Sequence, residues 1–115
     1  MKITGPGKLL TIYIGETDQL HGKPLYQAIV EMVKMEGLAG ATVKRGLEGF
    51  GAHSRIHTAH ILSLSEDLPV TIEIADIAER IEQIIPRLDE MVTEGLITVQ
   101  DVEIIKYVPG PPKKA

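Results

Sequence analysis

The chain has 115 residues and a formal net charge of -4, with no cysteine and no tryptophan. The lack of cysteine excludes disulfides, thiolate metal sites and a cysteine nucleophile. The negative charge disfavours nucleic-acid binding, because such binding depends on neutralising phosphates with lysine and arginine. No apolar run approaches the ~20 residues that span a bilayer, and the N-terminus lacks the pattern of a secretory signal. We therefore expect a cytoplasmic protein that does not bind nucleic acid.

Four segments of the chain are either rich in β-branched residues or alternate apolar with polar residues, and both patterns are typical of strands. In chain order these predicted strands are Lys8–Ile14, Ala41–Arg45, Pro69–Ala75 and Leu96–Tyr107. Gly95, which directly precedes the last of them, is predicted to cap the end of the helix before it.

Two predicted helices separate these strands. The first has apolar residues at helical spacing over Leu25–Met35, with Pro24 in its first turn and Gly37 as its stop. The second has an apolar stripe over Ile77–Val92. Pro86 lies within that stripe and should kink or restart the helix, because proline removes a backbone donor.

The order β-α-β-β-α-β predicts an α+β, ferredoxin-like fold, with both helices on one face of a four-stranded antiparallel sheet. We expect residues 1–107 to form one domain with a long loop at 47–62, and residues 108–115 to form a flexible tail. The open face of the sheet would carry short polar side chains, which favours packing against other subunits. These side chains are Thr11, Tyr13, Thr42, Thr71 and Glu73.

The long segment between the second and third strands contains Gly-Phe-Gly and three of the four histidines. Glycines beside an aromatic residue let the backbone approach a ligand closely, and long loops in small domains are usually functional or disordered. The histidine spacings, i, i+4 and i, i+3, suit zinc if the segment is helical. No carboxylate lies close by, so solvated histidines are the favoured interpretation and a metal site is the alternative. The candidate metal ligands are His53, His57 and His60.

Enzyme motifs are absent from the sequence. There is no nucleophile elbow with a Ser/His/Asp order, no Walker P-loop and no HExxH. We therefore expect a non-enzymatic protein.

Five motifs, taken together in this order, resemble the domain-of-unknown-function 190 family of PII-like proteins. They are TIYIGE (11–16), GKPLY (22–26), GLAGATVKRGLEGFG (37–51), LSEDLPVTIEIAD (64–76) and GLITVQDVEIIKY (95–107). More distantly, the chain is similar to the PII signal-transduction proteins. The resemblance implies a homotrimer that binds an adenine nucleotide in clefts between subunits. It also implies a loop that docks onto a partner protein, such as a membrane transporter.

The resemblance also implies which residues bind the ligand. The adenine would lie near the threonine of Thr-Val and the Ile-Glu-Ile strand, and the phosphates near the Gly-Phe-Gly. The loop after the second helix and a basic residue of the last strand would complete the site. The matching residues are Thr42, Glu73, Ile74, Ala75, Gly49, Phe50, Gly51, Gly95 and Lys106.

The chain also departs from the PII pattern. Leu96 stands where PII proteins have a lysine, and the C-terminal Arg-Thr-Gly motif is missing. Two phosphate-binding cations are therefore absent, which favours AMP or ADP over ATP. Alternatively, the phosphates would contact other cations of this region, namely Arg45, His53 or Arg55.

Glu73 has two interpretations, because a carboxylate in the middle of a strand is costly unless it is paired. It either pairs with Lys44 or Arg45 on a neighbouring strand, or it contacts the ligand. We expect a regulatory protein that binds AMP, ADP or ATP and acts through its long loop. The alternatives are a metal-binding sensor and a structural trimer that binds a partner but no small ligand.

Overall fold

The structure is a computed structural model and describes residues 2–50, 57–58 and 68–111. Within these ranges the main elements are β1 (Ile3–Gly15), α1 (Leu25–Met35), β2 (Thr42–Arg45), β3 (Pro69–Asp76), α2 (Ala78–Met91) and β4 (Leu96–Tyr107). Two short pairs of strands accompany them, Gln19–Leu20 with Lys23–Pro24 and Glu48–Gly49 with His57–Thr58. The predicted order of elements is confirmed, although β1 begins at Ile3 rather than at Lys8.

The four main strands form one antiparallel sheet in the order β2-β3-β1-β4. β1 lies in the interior of the sheet and pairs with both β3 and β4, so the first and last strands are neighbours. β2 and β3 pair through residues close to the long connection between them. This is the ferredoxin-like arrangement, and that prediction is confirmed.

Alternation along the two interior strands decides which face of the sheet is buried. Leu10 and Ile12 of β1 and Ile72 and Ile74 of β3 are fully buried, whereas the residues between them face the other way. The helices cover the apolar face with residues at helical spacing. These are Ile29 and Val33 of α1 and Ile81, Ile84 and Leu88 of α2. Burying each such side chain contributes ~1.5–3 kcal/mol.

The end of α1 is set by a glycine, as predicted. Gly37 adopts a φ of 83°, which favours glycine over other residues. Its N–H donates to the Lys34 carbonyl at 3.1 Å, and the Leu38 N–H donates to the Val33 carbonyl at 3.3 Å. These two bonds form a Schellman motif, which satisfies the last carbonyls of the helix. The chain then turns into the short connection at 39–41.

The second helix departs from two predictions. α2 is continuous through Pro86, so the expected restart does not occur. Pro86 is exposed, while Ile84 and Leu88 on either side of it are fully buried and hold the helix against the sheet. The helix has Val92 as its C-cap, so the predicted role of Gly95 as the cap is wrong. Among the described residues, no helix is long and apolar enough to cross a membrane.

An exposed ion pair links β1 to β4 on the helix-covered side of the sheet. The Lys8 Nζ lies 2.8 Å from the Asp101 Oδ1. The hydrogen bond and the attraction between the charges lower the pKa of Asp101 and raise the pKa of Lys8. The pair therefore weakens as the pH falls through the pKa of Asp101 or rises through the pKa of Lys8.

Asp76, at the end of β3, has a fully buried side chain. Its Oδ2 accepts the Ala39 N–H at 2.9 Å, and its Oδ1 accepts the Ile77 N–H at 2.7 Å. The Arg80 Nη1 lies 3.7 Å from Oδ2. The charge is further favoured by its position at the start of α2, where the helix dipole is positive. Asp76 therefore connects the 39–41 segment to the start of α2.

Replacing Asp76 with alanine should lower the free energy of unfolding by about 2–4 kcal/mol. The Ala39 and Ile77 N–H groups would lose their acceptor, and an unsatisfied buried group costs ~1–3 kcal/mol. Asp89→Ala removes an exposed carboxylate of α2 and is the matched control, with an expected change below ~0.5 kcal/mol. Urea unfolding followed by circular dichroism, at one protein concentration, compares the two variants. Equal stabilities would contradict the role given to Asp76.

Candidate ligand-binding cleft

A cleft of about 410 Å³ opens on the sheet near the end of β3. All four main strands and the connection between α1 and β2 contribute to its walls. The lining residues are Leu9, Ala39, Gly40, Ala41, Thr42, Glu73, Ala75 and Tyr107. Largely apolar walls with a few polar groups are typical of small-molecule sites, and such sites measure roughly 300–1,000 Å³.

The register of the strands brings three of the predicted ligand-binding residues together. Thr42 of β2 is opposite Glu73 of β3, and Glu73 is opposite Thr11 of β1. Residues opposite one another in neighbouring strands share a face, so this row lies on the face away from the helices. Ala75 follows two residues after Glu73 and is opposite Leu9. Thr42, Glu73 and Ala75 therefore line one cleft.

Two other predicted residues have side chains on the helix-covered face. Ile74 is fully buried in the core, so a ligand in the cleft could reach only its backbone. Arg45 is opposite Val70, a core residue of β3, and so points to the same side. Its guanidinium binds Glu16 through two contacts, Nε to Oε2 at 2.8 Å and Nη2 to Oε1 at 3.0 Å. The structure does not bring Arg45 to the row that contains Thr42.

The 39–41 segment forms one wall of the cleft and is held from two sides. The Ala39 N–H donates to the buried Asp76, and the Tyr107 hydroxyl donates to the Ala39 carbonyl at 3.3 Å. Tyr107 ends β4, just beyond a shift in the register of β1 and β4 opposite Ile3 and Gly5. Sequence reasoning missed Tyr107. The only local signal is that a tyrosine at the end of a strand needs a partner for its hydroxyl when it is partly buried.

Among the described residues that line the cleft, only Glu73 is charged. The Lys44 Nζ lies 2.8 Å from its Oε1, and the exposed fractions of the lysine and glutamate side chains are 59% and 34%. Of the two interpretations of Glu73, the structure shows the pairing with a neighbouring strand, and Lys44 is the partner. An exposed pair of this kind contributes ~0.2–1 kcal/mol, so a ligand could displace the lysine at little cost.

The Gly-Phe-Gly segment is described in part. Gly49 packs closely against β3, because a Cβ at this position would lie 3.0 Å from the Pro69 Cγ. Phe50 is 70% exposed. The other predicted contacts in this segment, Gly51, His53 and Arg55, lie outside the described residues.

The histidine alternative stays a prediction, because the side chains that would form a metal site are not among those described. These are His53, His57 and His60. In the part of the chain that the structure does describe, no group of three histidine, aspartate or glutamate residues could hold a metal ion.

The two ends of the connection between β2 and β3 are tied together. The Gly46 N–H donates to the Pro69 carbonyl at 2.7 Å, and the Glu16 N–H donates to the Leu68 carbonyl at 2.8 Å. A Cβ on Gly46 would lie 2.7 Å from the Pro69 Cγ, so this close approach requires glycine. The connection therefore leaves and re-enters the sheet at a fixed point.

Gly95 and Lys106 belong to the opposite edge of the sheet from Thr42. β3 and β1 lie between β2 and β4, a separation of about 14 Å at ~4.8 Å per strand. One chain alone therefore does not bring Gly95 to Thr42, whereas Lys106 directly precedes Tyr107, which lines the cleft. Gly95 has a structural role of its own, because a Cβ there would lie 2.7 Å from the Tyr13 carbonyl oxygen.

This fold is similar to that of solved PII-like proteins. A putative PII-like signaling protein from Thermus thermophilus matches with a TM-score of 0.64 and 24% identity, over 88% of this chain and 91% of that chain. CPII, a nitrogen regulatory PII-like protein from Thiomonas intermedia, matches with a TM-score of 0.66 and 22% identity, over 86% of this chain and 88% of that chain. The CPII structure is bound to ADP, AMP and bicarbonate.

The chain belongs to the DUF190 family, described as Uncharacterized ACR, COG1993, whose pattern matches residues 7–104. A UPF0166 protein from Methanocaldococcus jannaschii is 39% identical over 100 residues, which cover 86% of this chain and 92% of that protein. The family resemblance expected from the sequence motifs is confirmed.

Replacing Gly95 with alanine should lower the free energy of unfolding by about 1–3 kcal/mol, because the added methyl group would press on the backbone of β1. Gly40→Ala is the control, since nothing lies within 4 Å of a Cβ at that position. Thermal unfolding of both variants without ligand measures the difference. If Gly95→Ala were as stable as Gly40→Ala, this glycine would not be required by the fold.

Proposed function

We propose that this chain is a PII-like regulatory protein that binds an adenine nucleotide at clefts between the subunits of a homotrimer. The observation that carries the proposal is the cleft formed by Thr42, Glu73 and Ala75 in a chain with this fold. The CPII structure bound to ADP and AMP supports the class of ligand. The chemistry of the cleft walls supports it independently.

The cleft walls suit a flat base with polar edges. Leu9, Ala41 and Ala75 provide small apolar surfaces against which a planar ring can pack. The Thr42 hydroxyl both donates and accepts hydrogen bonds, and the Glu73 carboxylate accepts them. An exocyclic amino group is a donor that matches this carboxylate. We therefore assign the base of the nucleotide to the region between Thr42 and Glu73.

A second subunit would complete the site. Gly95 lies at the other edge of the sheet from Thr42, so a neighbouring chain would supply it. The open face of the sheet also carries exposed apolar groups, with Tyr13 46% and Leu96 55% exposed and opposite each other. Covering such groups favours association between subunits.

The phosphate end of the site favours AMP or ADP over ATP. Leu96 supplies no charge next to Gly95. Each charge-assisted hydrogen bond to a phosphate contributes ~1.5–3 kcal/mol, so a missing cation lowers the affinity for the more highly charged ligand.

Regulation would pass through the loop at 47–62. A ligand changes the conformation of such a loop only if it binds the protein more tightly in one loop conformation than in the other. We propose that nucleotide binding orders the loop and that the loop then recruits or releases a partner protein, such as a membrane transporter. This role is non-enzymatic.

Isothermal titration with AMP, ADP and ATP tests nucleotide binding. We expect AMP or ADP to bind more tightly than ATP. Glu73→Ala should weaken binding about tenfold, because it removes a hydrogen bond to a charged group. Gly51→Val should also weaken it, because a side chain would block the approach of the backbone to the ligand. Glu90→Ala, which removes an exposed carboxylate of α2, is the control. No binding of any of the three nucleotides at millimolar concentration would refute the proposal.

Native mass spectrometry of the untagged protein tests the assembly. We expect a trimer, and a trimer that retains an adenine nucleotide would also identify the ligand. A monomer would contradict the assignment of Gly95 to a neighbouring subunit's site. A trimer that carries zinc would favour the histidine alternative instead.

A further inference from the structure

Lys44 stands at the edge of the cleft, although it is not one of the residues that the family resemblance assigns to the ligand. Its Nζ lies 2.8 Å from the Oε1 of Glu73, which lines the cleft. Lys44 follows Thr42 by two residues on β2 and is opposite Thr71, so it lies on the same open face. The Glu73 carboxylate therefore holds the Lys44 ammonium at the edge of the cleft.

Two other cations of the neighbouring strands are engaged elsewhere. Arg45 binds Glu16 through two contacts on the helix-covered face. Lys8 is paired with Asp101 on that same face. Lys44 thus differs from both, because its partner is a residue of the cleft itself.

We propose that Lys44 is a ligand-responsive cation of the cleft. In the empty cleft it neutralises Glu73. When N–H donors of the ligand take its place on the carboxylate, its ammonium turns to an anionic group of the ligand, which in a nucleotide is a phosphate. This inference rests on the proposed nucleotide function and adds to it the residue that selects charged ligands over uncharged ones.

The properties of the side chain support this exchange. Lys44 is 59% exposed, so water already screens its bond to Glu73. A lysine ammonium acts as a point charge on a flexible four-carbon stem and does not require one fixed orientation of its partner. The ammonium can therefore move from a carboxylate to a phosphate while β2 stays paired with β3. It would supply a positive charge that Leu96 does not provide.

The test compares AMP with adenosine by isothermal titration, because the two share a base and sugar and differ in the phosphate. In the wild-type protein AMP should bind more tightly than adenosine. Lys44→Met should lower the affinity for AMP about tenfold and change the affinity for adenosine by less than about twofold, because only the phosphate contact is lost. Lys44→Arg should recover most of the AMP affinity. Lys34→Met, which replaces an exposed lysine of α1, is the matched control and should change neither affinity.

A second comparison, made in a protein that carries Glu73→Gln, distinguishes contact of Lys44 with the phosphate from simple neutralisation of Glu73. In a Glu73→Gln protein no carboxylate remains to be neutralised. If Lys44 contacts the phosphate, adding Lys44→Met to that protein should still lower the ratio of AMP to adenosine affinity about tenfold. An unchanged ratio would mean that Lys44 acts only on Glu73, and would overturn the inference.

Two further outcomes bear on the inference. If Lys44→Met lowered the affinities for AMP and adenosine equally, or lowered neither affinity, Lys44 would not select the phosphate. In that case this inference alone would fail. If the wild-type protein bound neither AMP nor adenosine, the proposed function would fail and this inference with it. The salt dependence gives an independent readout, because AMP binding should weaken less with added KCl in Lys44→Met than in the wild type.

Discussion

The period-two alternation of β1 and β3 is the constraint on which the rest of this structure depends. Leu10 and Ile12 face the helices, and Thr11 between them lies in the row with Glu73. The same alternation therefore builds the core on one face of the sheet and the polar row on the other. A slip of one residue would expose the isoleucines and bury the carboxylate, so the register is strongly determined by burial. The core thereby fixes the positions of the cleft residues.

Asp76 extends this coupling beyond the sheet. Its buried carboxylate holds Ala39 in the wall of the cleft and Ile77 at the start of α2. Tyr107 reaches the same wall from the other edge of the sheet. The wall is thus positioned by the end of one interior strand and the end of one edge strand, which are far apart in sequence. A site built in this way inherits the rigidity of the elements that support it.

Much of the fold follows from patterns that are local in sequence. The strand alternation, the helical stripes and the Gly37 stop each predict an element that the structure contains. The pairing of Glu73 with a neighbouring strand was also predictable, because a mid-strand carboxylate needs a partner. The contribution of Tyr107 was not, since its bond to Ala39 joins residues that only the folded chain brings together. The structural role of Gly95 is not predictable either, because its close approach to β1 depends on tertiary packing.

The face of a strand residue is also hard to predict near the end of a strand. Arg45 is close in sequence to Thr42, and the sequence predicts it as an alternative contact of the ligand's phosphates. Their positions differ by an odd number, however, and the register places them on opposite faces. The same counting rule places Lys44 beside the cleft. Assigning the face requires knowing where pairing begins, and that information comes from the register of β2 with β3.

The tied ends of the connection between β2 and β3 affect how the chain can vary. Gly46 and Pro69 are hydrogen-bonded to each other, so the pairing of β2 with β3 does not depend on the length of chain between them. The entropic cost of closing a loop grows slowly, by about 0.6 kcal/mol for each doubling of its length. Insertions, deletions or an exchanged segment between these two residues would therefore cost the fold little. The chain between these two residues can therefore vary while the cleft and the core keep their present form.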